Sequence, residues 1–378
     1  MKKIAPLLLA GIVFWTINAQ AQDAATPNSP NPGSMNFLLT GAGSAMFAAS
    51  SDGNTFTPMA LMVMPLTKIN DRLFLESGLK FEVVDGDVGI GIEVLNLHYK
   101  VTPWLTAHFG KFPASWGNVL DMFGGGFVSR FPSTPIGLSD DGLAPTDQVG
   151  FGLQAGLQTG KSKMLYDIYV ANGPKLTVDS TGADMTGHMS YEGLMDNNKN
   201  KAIGGKIGWL PFSNSSLQID AFGQYAGKTG DAGSPYENVA STSYGVDLNF
   251  YKTFGPMMLR IMGQYEATQT DNQTYGMIED TSITTYTFDN KGSSWYVAGT
   301  LSPTGSQSKF ISNLELGARY VNYAPPKKAP WGGDPSTQLT LAVNYWLTWS
   351  SQLSFGYDVL NEGGKKSNEF TVRGIYKF

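Results

Sequence analysis

The sequence predicts an all-β chain, a transmembrane antiparallel β-barrel of about 16 strands with short turns at one end and long loops at the other. Three observations predict it. Segments of about ten residues recur in which apolar and polar positions alternate, as expected of strands with one face on lipid and one on a wet interior. The connections between these segments alternate between short and long. Finally, both ends of the chain carry features of an exported barrel.

The alternation is clearest in the second half. Leu217, Ile219, Ala221, Gly223 and Tyr225 face one way, and Gln218, Asp220 and Gln224 the other. Leu259, Ile261, Gly263 and Tyr265 oppose Arg260, Gln264 and Glu266. Leu314, Leu316, Ala318 and Tyr320 oppose Glu315 and Arg319, and Leu339, Leu341, Val343, Tyr345 and Leu347 oppose Thr340, Asn344 and Thr348. The predicted strands are 36–48, 55–66, 72–84, 88–101, 104–112, 148–158, 164–173, 202–210, 215–226, 242–252, 257–268, 293–301, 312–323, 337–347, 352–360 and 369–378. Their even number is what a single-chain bacterial barrel requires to close. One strand resists a single parity. Glu93 falls in register with Leu95, Leu97 and Tyr99, while Val88, Ile90, Ile92 and Val94 take the other face. Either a β-bulge shifts the register there or Glu93 lies in a subunit interface.

Short links such as Thr102-Pro103, Thr159–Lys163 and Thr348–Ser351 alternate with long ones such as Pro113–Asp147, Pro174–Lys201 and Gln269–Gly292. This is the asymmetry between periplasmic turns and external loops, with two exceptions: the Ser302–Ile311 link is longer than a typical turn, and the first two external loops are short. Tyr99, Trp104, Trp209, Phe212, Phe254, Trp346 and Trp349 all flank predicted periplasmic turns. Amphipathic rings favour that interface, so these residues are expected to form an aromatic girdle.

At the N-terminus, Lys2 and Lys3 precede an apolar run, Ile4 to Ile17, and then Ala19-Gln20-Ala21. A charged start, an apolar core and small residues at the cleavage point read as a secretory signal over 1–21. A membrane anchor would need about 20 apolar residues. Residues 22–35, rich in Pro, Asn, Ser and Ala, are expected to be a flexible periplasmic lead-in to a barrel over 36–378. At the other end, Phe370, Val372, Gly374, Tyr376 and Phe378 share one strand face. A last strand closing on Phe378 resembles the signal that outer-membrane barrels present to their insertion machinery.

Composition narrows the function. There are 45 glycines, 46 aromatic residues and no cysteine, so no disulfide scaffold supports the fold. A closed barrel needs none, because its hydrogen bonds are satisfied around the ring. The net charge of −5 argues against nucleic acid as a partner, which would favour a basic face.

The longest connection, 113–147, is the third external one. Trp116, Phe123, Phe127 and Phe131 would resist exposure there, and Gly124 to Gly126 with Pro132, Pro135 and Pro145 force sharp turns. Long loops of this kind are usually functional or disordered; the aromatic content favours a loop folded into the barrel as a constriction. The alternative is an external loop packed on its neighbours or on another subunit.

The run Trp104-Leu105-Thr106, then Gly110-Lys111-Phe112, Ser129-Arg130-Phe131 and Asp147-Gln148-Val149-Gly150-Phe151-Gly152-Leu153 resembles the phosphate-selective porin superfamily. That resemblance implies a homotrimeric barrel of sixteen strands narrowed by its third loop, passing anions along a ladder of arginines. The chain departs from the pattern where selectivity would lie. Its five arginines, Arg72, Arg130, Arg260, Arg319 and Arg373, are scattered, and the loop sets Asp121, Asp140, Asp141 and Asp147 against Arg130 alone. The architecture is therefore carried over and the phosphate specificity is not.

From the residues, the constriction candidates are Trp116, Asp121, Phe123, Phe127, Arg130, Phe131, Asp140 and Asp141. The lumen-wall candidates are Lys80, His98, Lys100, His108, Arg260, Glu266, Glu315, Arg319 and Arg373. An acidic loop opposite basic Lys80, Lys100, Arg260, Arg319 and Arg373 would set up a transverse field, and charged rings set ion preference in pores. The loop aromatics would alternatively form a stacking surface for sugar rings. For each single charge, an ion pair that anchors a strand or loop is the plainer reading.

His98 and His108 flank the Thr102-Pro103 turn symmetrically and are expected opposite each other. They read as polar lumen residues, or as a metal or pH-sensing pair; a metal site usually needs three or four ligands. No nucleophile motif, phosphate loop or dinucleotide fingerprint stands in a strand–helix context, so no enzyme and no cofactor is expected. The expectation is an outer-membrane channel for small hydrophilic solutes or ions. The alternatives are a closed structural or adhesive barrel that binds a partner through its external loops, and a carrier for hydrophobic compounds.

Overall fold

The computed structural model describes residues 36–51, 53–84, 87–119, 129–138, 142–143, 145–178, 186–191, 194–279, 282–329 and 331–378. The expected signal and lead-in, 1–35, lie outside them. Sixteen antiparallel strands close into a barrel. The first seven are β1 (Asn36–Ser50), β2 (Gly53–Lys68), β3 (Leu73–Val84), β4 (Asp87–Thr102), β5 (Leu105–Pro113), β6 (Asp147–Thr159) and β7 (Ser162–Asn172). A two-residue pair, β8 (Lys175–Leu176) and β9 (Met189–Ser190), stands outside the wall. The wall continues with β10 (Lys201–Leu210), β11 (Leu217–Ala226), β12 (Ser241–Phe254) and β13 (Met257–Thr270). A second hairpin outside it, β14 (Thr274–Glu279) and β15 (Ser282–Thr287), precedes β16 (Lys291–Ser302). One turn of helix, α1 (Lys309–Ser312), leads to β17 (Leu314–Ala324), β18 (Ser336–Trp346), β19 (Ser351–Glu362) and β20 (Lys365–Lys377).

Closure is made between the first and last strands, with Ala42 opposite Lys377 and Ser50 opposite Glu369. Beyond the ladder, Phe378 N–H donates to Gly41 O at 3.0 Å and Gly41 N–H to Phe378 O at 3.1 Å. No backbone edge is left in the ring, which is what allows strands to cross a bilayer. Every predicted wall strand is present, with ends displaced by a few residues. The differences lie in the long loops, where the connection 269–292, predicted without strands, carries the hairpin of β14 and β15. Their run Thr274 to Thr287 is rich in Thr, Tyr and Ile, a strand composition, but it pairs only with itself.

Alternation sorts the side chains as the sequence requires. Ile168, Ile203, Val246, Leu316, Leu341 and Phe370 point out and are exposed, while Asp167, Gln224, Asp247, Arg319, Thr340 and Thr371 point in and are buried. An apolar exterior on a closed barrel is the surface of a transmembrane protein. Leu341→Arg, in the middle of β18, is therefore expected to destabilise the folded barrel by about 2–4 kcal/mol, the cost of a cation at the bilayer midplane. Urea unfolding in lipid vesicles, followed by gel mobility, measures it.

The ambiguity at Glu93 resolves as a bulge. Gly78 pairs with Val94 but Leu79 pairs with Ile92, so Glu93 has no partner in the ladder. The extra residue reverses parity along β4. Val88, Ile90 and Ile92 face out above it, and Leu95, Leu97 and Tyr99 face out below it. Glu93 turns toward Lys80, 3.4 Å away. Of the expected aromatic girdle, Tyr99, Trp104, Trp209, Phe212, Phe254 and Trp349 are exposed. Trp346 is the correction. It shares the inward parity of Ala342 and Asn344, and its ring lies 6.0 Å from the Arg130 guanidinium. A position beside a turn placed it in the girdle; its parity places it inside.

Candidate functional site

The barrel interior is the site, and the connection between β5 and β6 enters it. The two stems of this loop are held together where Ala114 N–H donates to Thr146 O at 2.8 Å. From there the chain runs inward and across to the far wall. The Trp116 indole is fully buried against Phe222 of β11, and its N–H donates to Glu266 of β13 at 3.0 Å. Gln264 braces the same carboxylate at 2.8 Å and accepts from Val119 N–H at 3.1 Å. Asn118 donates to the carbonyls of Leu248 and Gly263 and accepts from the Tyr296 hydroxyl. An apolar layer backs these bonds, with Val119, Phe131, Ile136 and Leu138 of the loop against Met262, Tyr296, Ala298, Val321 and Ala342 of the wall.

The second anchorage is ionic. Arg130 Nε lies 3.0 Å from the Glu315 carboxylate of β17, and both side chains are 2 % exposed. Ser302 and Asn344 donate to the same carboxylate at 2.9 and 3.2 Å. Arg373 of β20 donates to the carbonyls of Ser129, Phe131 and Pro132 at 3.0, 2.9 and 3.2 Å. Arg319 donates to Ser133 O at 3.0 Å and Ser133 Oγ at 2.9 Å, with its guanidinium 5.0 Å from the Phe131 ring. Ser133 in turn donates to Asp358 of β19 at 2.9 Å.

The wall is shaped to receive the loop. Gly317 and Gly356 face inward where the Phe131 and Pro132 rings sit, and a Cβ at either position would press on them. Gly356→Val is expected to push Pro132 off the wall at a cost of about 1–3 kcal/mol, the usual penalty of overpacking. The urea midpoint reads this effect, and Gly374→Val, with open space at its Cβ, is the control.

The sequence candidates now have places. Trp116, Arg130 and Phe131 lie inside the barrel on the loop; Asp121, Phe123, Phe127, Asp140 and Asp141 lie outside the described residues. Arg260, Glu266, Glu315, Arg319 and Arg373 line the inner wall and are buried. The expected opposition of an acidic loop to a basic wall rests on Asp121, Asp140 and Asp141, outside the described residues; the described anchors are of another kind. Arg319 and Arg373 donate to loop backbone and to hydroxyl groups, and among the described residues the ion pair between loop and far wall runs from a basic loop residue, Arg130, to an acidic wall residue, Glu315. Asp147, at the loop exit, pairs with Lys111 at 2.8 Å. Lys80 lies on the opposite wall between Glu82 at 2.7 Å and Glu93 at 3.4 Å, and Lys100 sits opposite Thr106.

His98 and His108 are directly paired across β4 and β5, with rings near parallel and centroids 6.0 Å apart. His98 Nε2 lies 3.2 Å from Glu76, and His108 Nε2 lies 3.8 Å from Asp167 Oδ1. Each ring addresses its own carboxylate, so their nitrogens do not converge on one point. Among the described residues no group of three or more candidate ligands could hold a metal ion. Sequence reasoning missed Asp167, which also accepts from Ser115 at the loop stem and from Gln154 at 2.9 Å. It also missed Asn118, Ser133, Asp358 and the two seating glycines. Asp167 and Asp358 were legible as lone carboxylates inside apolar-alternating strands.

No family model and no curated protein sequence matches the chain. Solved structures do, at low identity. The outer membrane protein OmpT of Vibrio cholerae, in a trimer form, is 15% identical over 91% of this chain and 100% of its own, with a TM-score of 0.55. OmpF of Salmonella typhi is 12% identical over 90% of this chain and 97% of its own, with a TM-score of 0.58. An anion-selective porin from Comamonas acidovorans is 14% identical over 91% and 100%, with a TM-score of 0.55. The chain has the fold of an outer-membrane porin barrel. These similarities support a porin-like barrel in the outer membrane without singling out the phosphate-selective superfamily.

At the external end of this porin-like barrel, the long connections share an aromatic cluster. Leu176, Met189, Tyr191, Val239, Tyr275 and Phe288 are buried together, with Tyr236 and Trp331 packed on them. Burial pushes the Tyr275 phenol up to about 12. In the same region the Lys228 ammonium and the Gly233 N–H hold the exposed Glu237 carboxylate below its ordinary range. The loops over this half of the barrel are thus tied to one another.

Proposed function

We propose that the protein is a porin, a channel without enzymatic activity through which small hydrophilic solutes or ions diffuse passively across the outer membrane. The observation that carries this reading is the inserted loop. A polar-lined barrel whose longest connection crosses the interior and is bonded to the far wall is built to restrict a lumen rather than to fill a dry core. With the described part of the loop fastened to the β11–β20 side, the proposed path runs along β1–β4. There Lys80 and Glu93 keep about a quarter of their side-chain surface exposed, 25% and 26%. Charge at that wall, rather than the buried arginines, then sets ion preference. The trimer form of a structural neighbour supports a homotrimer as the working assembly.

The test is single-channel conductance of purified protein in planar bilayers, with reversal potentials in a salt gradient. Stepwise openings in groups of three support the trimeric channel. Lys80→Glu should shift the reversal potential toward cation preference, while Arg319→Gln should leave its sign unchanged. One observation favours a second reading. Thr340, Asn344 and Ser354 on the inner wall have no exposed surface, which suits a closed barrel that binds a partner through its tied external loops. Silent insertion of folded protein would choose that reading over the channel.

A further inference from the structure

The porin reading makes no use of the paired histidines, yet they sit at the root of the inserted loop. Along the inner wall, Glu76 of β3, His98 of β4, His108 of β5 and Asp167 of β7 form one row, with 3.2 Å between the first two and 3.8 Å between the last two. His108 is 1% exposed and neither ring nitrogen has a hydrogen-bond partner, and Asp167 Oδ1 is likewise buried without one. The other oxygen, Oδ2, accepts from Ser115, the second residue beyond β5, and from Gln154. Gly152, opposite His108, leaves the space its ring occupies; a Cβ there would collide with it. The His108 ring meets Phe112 edge-on with centroids 4.4 Å apart, and Phe112 in turn packs on Tyr169.

We propose that His98 and His108 form a proton-operated latch on the loop stem, acting through Asp167. Histidine changes charge between about pH 5 and 8, and an aspartate that already holds the stem by one oxygen offers His108 the other. When His108 is neutral, its Nε2 and Asp167 Oδ1 face each other without an ion pair. When it is protonated, the two form a charge-assisted hydrogen bond, and Asp167 is fixed from both sides with Ser115 attached. His98, protonated as well, has Glu76 as its own counter-charge, which offsets the repulsion between the two rings. Among the described residues, the other charged groups facing the row are Lys100, next inward residue after His98, and Lys206 of β10, which lies across from Asp167 in the ladder. The Lys206 ammonium lies 3.6 Å from the Asp220 carboxylate. Acid therefore tightens the stem, and with it the loop.

The absence of cysteine makes the test direct. A nitroxide placed on Thr134→Cys, an exposed loop position, reports loop mobility by electron paramagnetic resonance in lipid vesicles. Its mobility should fall as the pH drops from about 8 to 5. The shift should vanish in His108→Gln and in Ser115→Ala, which cuts the link below the histidines. A wild-type label blind to pH, or an unchanged shift in the His98→Gln/His108→Gln double variant, would overturn the latch. Heat-shifted gel mobility confirms that each variant is folded. The latch rests on the channel reading only for its consequence, and conductance in the same preparations separates the two. A responsive label in a silent barrel keeps the latch and discards the channel; a conducting barrel with an unresponsive label does the reverse.

Discussion

Arg373→Met will release the inserted loop from the last strand and expose it to protease. Arg373 is 2% exposed and its guanidinium donates to three loop carbonyls, those of Ser129, Phe131 and Pro132. Methionine keeps much of the apolar stem and removes every donor, leaving three carbonyls to find new partners. Hydrogen bonds to a charged group contribute about 1.5–3 kcal/mol each, so their joint loss outweighs what Phe131 and Pro132 gain from their glycine seats. The assay is built into the sequence: Arg130 is the one basic residue between Lys111 and Lys161, and it is buried. Trypsin should therefore leave the wild-type loop intact and cut the variant after Arg130, giving two fragments that remain in one folded barrel. Conductance should rise in step with the cut fraction. An uncut Arg373→Met loop would mean that the Trp116 and Arg319 anchors suffice alone.

Why the sequence disclosed the barrel but not this anchorage follows from where the information lies. Strand identity depends on period two, which is local; Leu339, Leu341 and Val343 announce an outward face without reference to anything else. The bulge at Glu93 is also local, because a reversal of apolar parity can be read from Val88 to Tyr99 alone. Loop anchorage is different. Arg373 lies more than two hundred positions from Ser129 in the chain, as do Asn344 and Ser133 from their respective partners Arg130 and Asp358. Parity shows that Arg319 and Arg373 point inward, and nothing in one sequence shows whether water or a carbonyl meets them there. Trp346 shows the converse: its place beside a turn predicts the girdle, while its parity with Ala342 and Asn344 turns it inward toward Arg130. The His98–His108 pair was legible because the turn between them is short enough to fix the register. Its carboxylates, three and seven strands into the barrel, were not.

Glu315→Ala should be the more damaging change for the barrel itself. Glu315 accepts from Arg130, Ser302 and Asn344 at once, and its removal strands a buried guanidinium on the loop. Breaking a buried pair from one side costs about 3–5 kcal/mol, because the remaining charge loses its counter-ion without regaining water. The Arg130 cation has one partial refuge, the Trp346 ring 6.0 Å away, worth about 0.5–2 kcal/mol by cation–π attraction. That is too little to compensate, so the urea midpoint should fall and the loop should become sensitive to trypsin. Glu315→Gln keeps an acceptor for Ser302 and Asn344 and should fall less. Replacing both partners, Arg130→Met with Glu315→Leu, removes the buried charge altogether and should recover most of the loss, since apolar replacements of buried pairs are often neutral or stabilising. The double-mutant cycle therefore decides between two roles for the pair. Strong coupling with recovery in the double variant marks a loop position that packing alone can maintain. Failure of the double variant to recover would show that the Arg130–Glu315 bond itself, with its fixed geometry, holds the loop where it crosses the lumen.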